Sequence, residues 1–391
     1  MNILKLAADH RRRMVNLRRQ FHMYPETGWK EYETCNKIQS ALDSLKIPFR
    51  SIPPTGIIAT IEGAQPGRTV ALRADMDALP QPEKNNHDYV SRNPGVSHVC
   101  GHDAHMAMLL GAASVLTDIQ DQVRGTIKLI FQPAEEIFGG ARAIIEAGGL
   151  DGVDGIFGLH ILGNLPVGQA AVAPGAIMSA ANHFTVRVSG RSGHGGLPHE
   201  GVDALLAAAA IVMNLQSITS REINPLETAV VSIGRLEAGT AYNIIAGTAM
   251  LEGTTRCFSE EINKDLPGKM ERIIRNTASA YAADAEFDYT PSVPPTVNDD
   301  FCTRLVEKSI DTIFGREKRT QLAPVTGAED FAFYLQQVPG VFVFLGGGNK
   351  EKGLAFPQHH ESFDIDEDAV ELGAALYARY AMDFLNVAGT G

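Results

Sequence analysis

The chain lacks a cysteine framework. Its 391 residues hold four cysteines, Cys35, Cys100, Cys257 and Cys302, far apart and without a repeating spacing. That excludes a disulfide-stapled scaffold and fits a reducing compartment. Long hydrophobic runs are missing too. No segment reaches the roughly 18 uninterrupted apolar residues of a membrane-spanning helix, and the opening stretch from Met1 to Asp9 turns charged before a signal-length run develops. The expectation is neither signal peptide nor membrane span, and a cytoplasmic address. Positive charge is in deficit, with a formal net charge of -12, which argues against nucleic-acid and anionic-membrane partners. The run Arg11-Arg12-Arg13 with Arg18-Arg19 therefore reads as the solvated face of an amphipathic helix. Internal repeats and low-complexity segments are absent.

What is present is an ordinary soluble composition, 44% apolar and 20% charged, in a chain too long for one core. Two domains are expected. Residues 5–22 and 30–46 read as helices. Strand-like runs follow at 56–61, 69–73, 125–131, 155–159 and 341–345. Several are continuously apolar and bounded by glycine, as in a sheet covered on both faces. Helical patterns at 104–116 and 139–147 alternate with them, which is the α/β signature. The middle of the chain changes rhythm. Strands at 183–188, 228–236, 248–257 and 285–290 enclose helices at 202–218 and 269–283, with Pro267-Gly268 disturbing the second helix's start. This β-α-β-β-α-β order is that of a ferredoxin-like unit. Pro174-Gly175 and Pro291-Ser292-Val293-Pro294-Pro295 punctuate its ends. The reading is a discontinuous domain of residues 1–180 and 295–391 with a smaller α+β domain, 181–294, inserted.

Chemistry-bearing residues gather where the strands of the larger domain end, the usual ligand-binding edge of an open α/β sheet. Asp75 and Asp77 follow one strand, Glu135-Glu136 another, and His160 ends a third. Cys100 and His102 precede a helix start, which lowers a thiol's pKa. A C-x-H pair alone reads more readily as a buried cysteine and a packed histidine. Glu135-Glu136 decides more, because a like-charge pair after an apolar strand is costly to bury without a cation. Thiolate, imidazole and carboxylate together suit zinc, manganese, cobalt or nickel. One carboxylate could hold metal while the other moves a proton. His359-His360 offers a further histidine, one of the two closing the site. His98 and His105 read as supporting groups.

Taken together, Arg73-Ala74-Asp75-Met76-Asp77-Ala78-Leu79-Pro80, Cys100-Gly101-His102-Asp103-Ala104-His105, Gln132-Pro133-Ala134-Glu135-Glu136 and Gly158-Leu159-His160 resemble the motif series of the M20 metallopeptidase family. The likeness is greatest to its amidohydrolase branch of hippurate hydrolases, N-acyl-amino-acid deacylases and plant auxin-conjugate hydrolases. It extends over essentially the whole chain, from His22-Met23-Tyr24-Pro25-Glu26 to Glu329-Asp330-Phe331. The resemblance implies a zinc-exopeptidase-like, mainly parallel catalytic α/β domain with an inserted ferredoxin-like dimerisation or lid domain. It implies two divalent ions on Cys100, His102, Glu136, His160 and His359, the register His-x-x-x-Phe-Asp selecting His359 over His360. Glu135 takes the place of the general base and acid, and Asp77 that of the acid that orients the centre. In the inserted domain, Ser192-Gly193-His194 and Leu197-Pro198-His199 resemble a segment whose first histidine serves the partner subunit. Asn243 and Arg256 match positions that hold substrate.

The sequence departs from that pattern at Gly195-Gly196, at Leu162-Gly163-Asn164 and at Glu361, which bears on substrate preference. The implied activity is metal-dependent hydrolysis of N-acyl amino acids by a homodimer, with pairing of dimers into a tetramer left open. His194 would stabilise the oxyanion, and Arg256, a bidentate donor, would clamp the free carboxylate. The alternatives are a dipeptidase or carboxypeptidase on the same centre, and a non-catalytic amide-binding protein. A thiol hydrolase with Cys100 as nucleophile is the remaining one, against which stands the use of its candidate base, His102, as a ligand.

Overall fold

The computed structural model describes residues 2–321 and 323–387. The chain forms two compact units. One takes the residues up to Gly175, Val297–Ala323 and those from Asp330 on; the other takes Ala176–Thr296 and Pro324–Glu329.

The larger unit is built on an eight-stranded sheet. Its centre is four parallel strands side by side: Arg124–Gln132, Gln65–Asp75, Gly155–Pro166 and Gly340–Gly348. Antiparallel strands Gly56–Glu62 and Phe49–Ile52 extend one edge. Alternate side chains of a strand face opposite ways. Val70, Leu72 and Ala74 join a core with the helices Ile3–Met23, His102–Asp118 and Asp368–Leu385. Ala71 and Arg73 point the other way and are equally buried. On that side the short helix Gly140–Glu146 sends Ile144 beside Ile58. Burial on both faces is why these strands read as unbroken apolar runs. The strand carrying His160 does not end there, as the sequence suggested. It runs on to Pro166, held by its partner Gly340–Gly348.

The smaller unit is an antiparallel four-stranded sheet. Its order is Ala229–Ala238, Thr248–Cys257, Ala181–Ser189, Asp284–Val293. In chain order that is 2-3-1-4, and with the helices Ala204–Ser217 and Glu260–Ala280 it makes the ferredoxin-like arrangement. The second helix begins earlier than its proline suggested. Ser259 caps it by accepting the N–H of Ile262, Glu260 and Glu261 occupy the first turn, and Pro267 lies inside. The buried stripe Leu266, Met270, Ile273 and Ile274 outweighs the missing proline donor. The stretch Ala204–Glu222 is long and apolar enough to cross a membrane, with mean hydropathy 1.2. Its Ala204, Ala207, Ala208, Ile211 and Leu215 nevertheless pack into this unit's core.

Candidate metal centre

The larger unit collects its polar residues at the carboxyl ends of the central strands. Register sets their level. Asp75 pairs with Gln132, and Arg73 pairs with Gly158, two residues before His160. Beyond Gln132 the chain turns sharply, with Ala134 at φ +52. Asp77 closes this turn, its two carboxylate oxygens accepting the N–H groups of Glu135 at 3.0 Å and Glu136 at 3.1 Å. The Cys100–His102 corner depends on Gly101. It caps the following helix at φ +93, and a Cβ there would lie 2.5 Å from Ile161 Cγ2.

These turns bring one atom from each of several residues together. Cys100, His102 and His160 form one group, Cys100, Glu136 and His359 a second, and His102, Glu135 and Glu136 a third, each with its ligand atoms within 4.8 Å of one another. Cys100 Sγ lies 3.3 Å from His160 Nε2. Glu136 Oε1 lies 3.9 Å from His102 Nε2 and 3.6 Å from His359 Nε2. The remaining imidazole nitrogens are occupied: Nδ1 of His102 donates to the Asp77 carbonyl at 2.8 Å, and Nδ1 of His160 to the Ile161 carbonyl at 2.8 Å. That fixes both rings with Nε2 facing the cluster, as ligating imidazoles require. His359 is held at φ +64 by its N–H to Val99 O and its own carbonyl to Gln81. His360 instead stacks on Phe356 with ring centroids 4.5 Å apart.

The donor set fits a cation. His102 Nε2 and Glu136 Oε1 are buried and have no hydrogen-bond partner among the described residues. Burial and the nearby Glu136, Glu135 and Asp75 carboxylates push the Cys100 thiol well above its usual range. Burial would depress His102, but Asp75, Asp77 and Glu136 outweigh it and raise its pKa to about 10. The pocket thus favours positive charge at its centre. Burial with His105 and His102 nearby keeps His160 neutral, the ligating form. The Glu135 side chain is also buried, with a carboxylate oxygen 3.5 Å from the Asp330 N–H.

The family model described as "Peptidase family M20/M25/M40" matches residues 71–383. The chain belongs to this family. An N-acetylcysteine deacetylase of Bacillus subtilis is 38% identical over 372 residues, 95% of this chain and 96% of the relative. A thermostable carboxypeptidase of Saccharolobus solfataricus is 40% identical over 378 residues, 95% of each. The solved structure of a Bacillus subtilis protein described as a dinuclear metal-binding peptidase of the M20 family superposes with TM-score 0.86 at 35% identity. It covers 97% of this chain and 99% of that one. This M20 protein is accordingly a metal-dependent hydrolase.

The residues assigned to substrate lie in the smaller unit. His194 and Asn243 are neighbours there, because Gly193–His194 pairs with Ile244–Ile245. Both are exposed. His194 Nδ1 accepts the Gly196 N–H at 2.9 Å, so the neutral ring carries its proton on Nε2. Arg256, on the strand Thr248–Cys257, bonds among the described residues only to Thr254 Oγ1 and the Thr255 carbonyl. Burial lowers its pKa, with no carboxylate among the described residues opposing.

Several supporting residues lie inside the motifs quoted above, but nothing in the sequence marks which groups they hold. Arg73 is wholly buried. It donates to Gln132 at 2.9 Å, Asp75 at 2.6 Å and Asp330 at 3.0 Å. Asp330 also accepts the Ala141 N–H at 3.0 Å. Glu26, part of the N-terminal motif, accepts the Thr34 N–H at 2.8 Å and so caps the helix Tyr32–Ser44.

Proposed function

We propose that this enzyme hydrolyses the amide bond joining an acyl group to an amino acid with a free carboxylate. Cys100, His102, Glu136, His160 and His359 hold two divalent ions drawn from manganese, zinc, cobalt and nickel. Ions bound there lower the pKa of water toward about 7 and polarise the amide carbonyl. Glu135 takes the proton of the attacking water and delivers it to the leaving amine. Asp77 fixes Glu135 and Glu136 through their backbone N–H groups while orienting His102 through its own carbonyl. His194 offers its Nε2–H to the developing oxyanion, and Asn243 assists at the carboxylate end.

The observation that carries the substrate class is Arg256. It is a half-buried guanidinium with no carboxylate partner among the described residues. A desolvated cation of this kind is poised for an anion from elsewhere, and a planar carboxylate matches its fork. A homodimer is also part of the reading. The smaller unit exposes Leu205, Leu206 and Met213 on one helix, at 46%, 51% and 72% of their surface. Apolar faces of that sort mark association surfaces. The carboxypeptidase reading rests on the Saccharolobus relative's name and on the same guanidinium, since a peptide also ends in a carboxylate.

The test is a hydrolysis screen with each divalent metal. It compares N-acetyl, N-benzoyl and indole-acetyl amino acids with dipeptides, each as free acid and as methyl ester. Acyl amino acids turned over faster than dipeptides support the proposal. A preference for dipeptides transfers the function to an exopeptidase. Turnover insensitive to chelation overturns the metal centre.

A further inference from the structure

We propose that Glu31 is a positioning residue for the Glu135 carboxylate, acting through the backbone of Ala134; this rests on Glu135 being the general base. Glu31 has no exposed surface and lies at the start of the helix Tyr32–Ser44, far in sequence from the strand-end turn it contacts. One of its carboxylate oxygens accepts the Ala134 N–H at 2.9 Å, and the other accepts the Thr55 hydroxyl at 2.6 Å. Thr55 is itself buried, so the carboxylate is fixed at both oxygens.

The turn needs such a hold. Ala134 sits at φ +52, a left-handed conformation that a residue with a Cβ adopts only under constraint. It is wholly buried and packed against Gly28, whose added Cβ would lie 3.2 Å from Ala134 Cα. With Asp77 holding the next two N–H groups, three successive amides, those of Ala134, Glu135 and Glu136, end on two buried carboxylates. Asp77 cannot by itself set the φ of Ala134, which lies before the residues it binds. Glu31 supplies the missing restraint. Released, the Ala134 peptide can leave the left-handed region, and rotation there swings the Glu135 Cα–Cβ bond. A displacement near 1 Å at a reacting group costs up to about 10²-fold in turnover.

Glu31→Ala and Glu31→Gln separate this from a generally structural role. Turnover is measured at saturating divalent ion, with bound metal read by elemental analysis and thermal unfolding recorded. Expected for Glu31→Ala is a loss in kcat of about 10- to 10²-fold at unchanged metal content, with KM moving less. Glu31→Gln keeps an oxygen for the Ala134 N–H and an amide for Thr55, and should restore kcat to within a few-fold of the parent. In a Glu135→Gln background, Glu31→Ala should have no further effect on kcat, because it acts through a base already removed. If Glu31→Ala does not fold, Thr55→Val reads the same restraint, with a smaller kcat loss that again vanishes in the Glu135→Gln background.

Parent-like kcat in Glu31→Ala overturns the proposal, as does an equal loss in the Glu135→Gln background. Lost metal with restored turnover at higher ion concentration also overturns it, assigning Glu31 to Glu136. Parent-like turnover in Glu135→Gln alone is a different result, which removes the base and not the restraint.

Discussion

His105 Nε2 accepts the backbone N–H of Ile161 at 2.9 Å, and its Nδ1 donates to Asp75 at 2.6 Å. Both nitrogens are committed, although His105 lies within ligand distance of Asp75 and His102. It ties the helix His102–Asp118 to the strand that carries His160 and completes a buried run from Asp330 through Arg73 and Asp75. His105→Ala should therefore keep its bound metal and lose stability. A buried carboxylate and a buried N–H each lose a partner, so a loss of at least about 2 kcal/mol is expected in urea unfolding. Elemental analysis completes the check: loss of a metal ion with stability unchanged would make His105 a ligand instead.

Glu135→Gln is nearly isosteric and cannot accept a proton. Its turnover should fall by at least about 10² while metal content holds. Near-parental turnover would remove Glu135 from the mechanism.

The fold was legible wherever burial is symmetrical or periodic. The four central strands announced themselves because both of their faces are covered, and the β-α-β-β-α-β rhythm of the smaller unit is carried by alternation and glycine turns. The candidate site's residue types were legible because a strand end rarely carries Glu-Glu and a helix start rarely carries Cys-x-His. What stayed hidden was pairing at a distance. Nothing around Glu31 or Asp330 marks them as partners of Ala134 or Arg73, since each contact depends on tertiary approach across the fold. The early start of the helix Glu260–Ala280 was masked by Pro267, whose local cost is overridden by packing.

His22 gives the stability curve a predicted slope. Its ring donates to Asp103 at 2.8 Å and lies 3.1 Å from Glu83. Burial alone would lower its pKa, but the two carboxylates outweigh burial and raise it to about 9. The folded value lies above the unfolded one near 6.5, so the folded state binds this proton more tightly. That contribution is complete below about pH 6.5 and disappears as pH rises through about 9, amounting to no more than about 3 kcal/mol. Unfolding free energies across this window should decline for the parent and decline less for His22→Gln. Identical slopes would show that His22 does not carry the proton.

Subunit exchange tests His194. If it serves the partner's centre, mixing inactive Glu135→Gln with inactive His194→Ala should recover part of the parent activity, because one site of each mixed dimer keeps both groups. Proven exchange without recovery would assign each His194 to its own chain's centre. A monomer in sedimentation would remove the dimer altogether.

Arg256 offers the test of the substrate class. Its guanidinium is half-buried and, among the described residues, bonds only to Thr254 and the Thr255 carbonyl and feels no opposing carboxylate. If a substrate carboxylate completes it, esters and amides of that carboxylate should be poorer substrates by about tenfold or more, the value of one charge-assisted hydrogen bond. Arg256→Ala should lose activity on the free acid by a similar factor while its activity on the ester changes little, so the preference for acid over ester collapses. Arg256→Lys should recover only part of it, because an ammonium cannot make two parallel bonds to one carboxylate. The collapse is the informative quantity. A residue that merely supported the strand Thr248–Cys257 would slow acid and ester alike and leave their ratio intact. An Arg256→Ala enzyme that keeps the parental acid-to-ester ratio therefore reads the carboxylate elsewhere, and the acyl-amino-acid reading loses the observation that carries it.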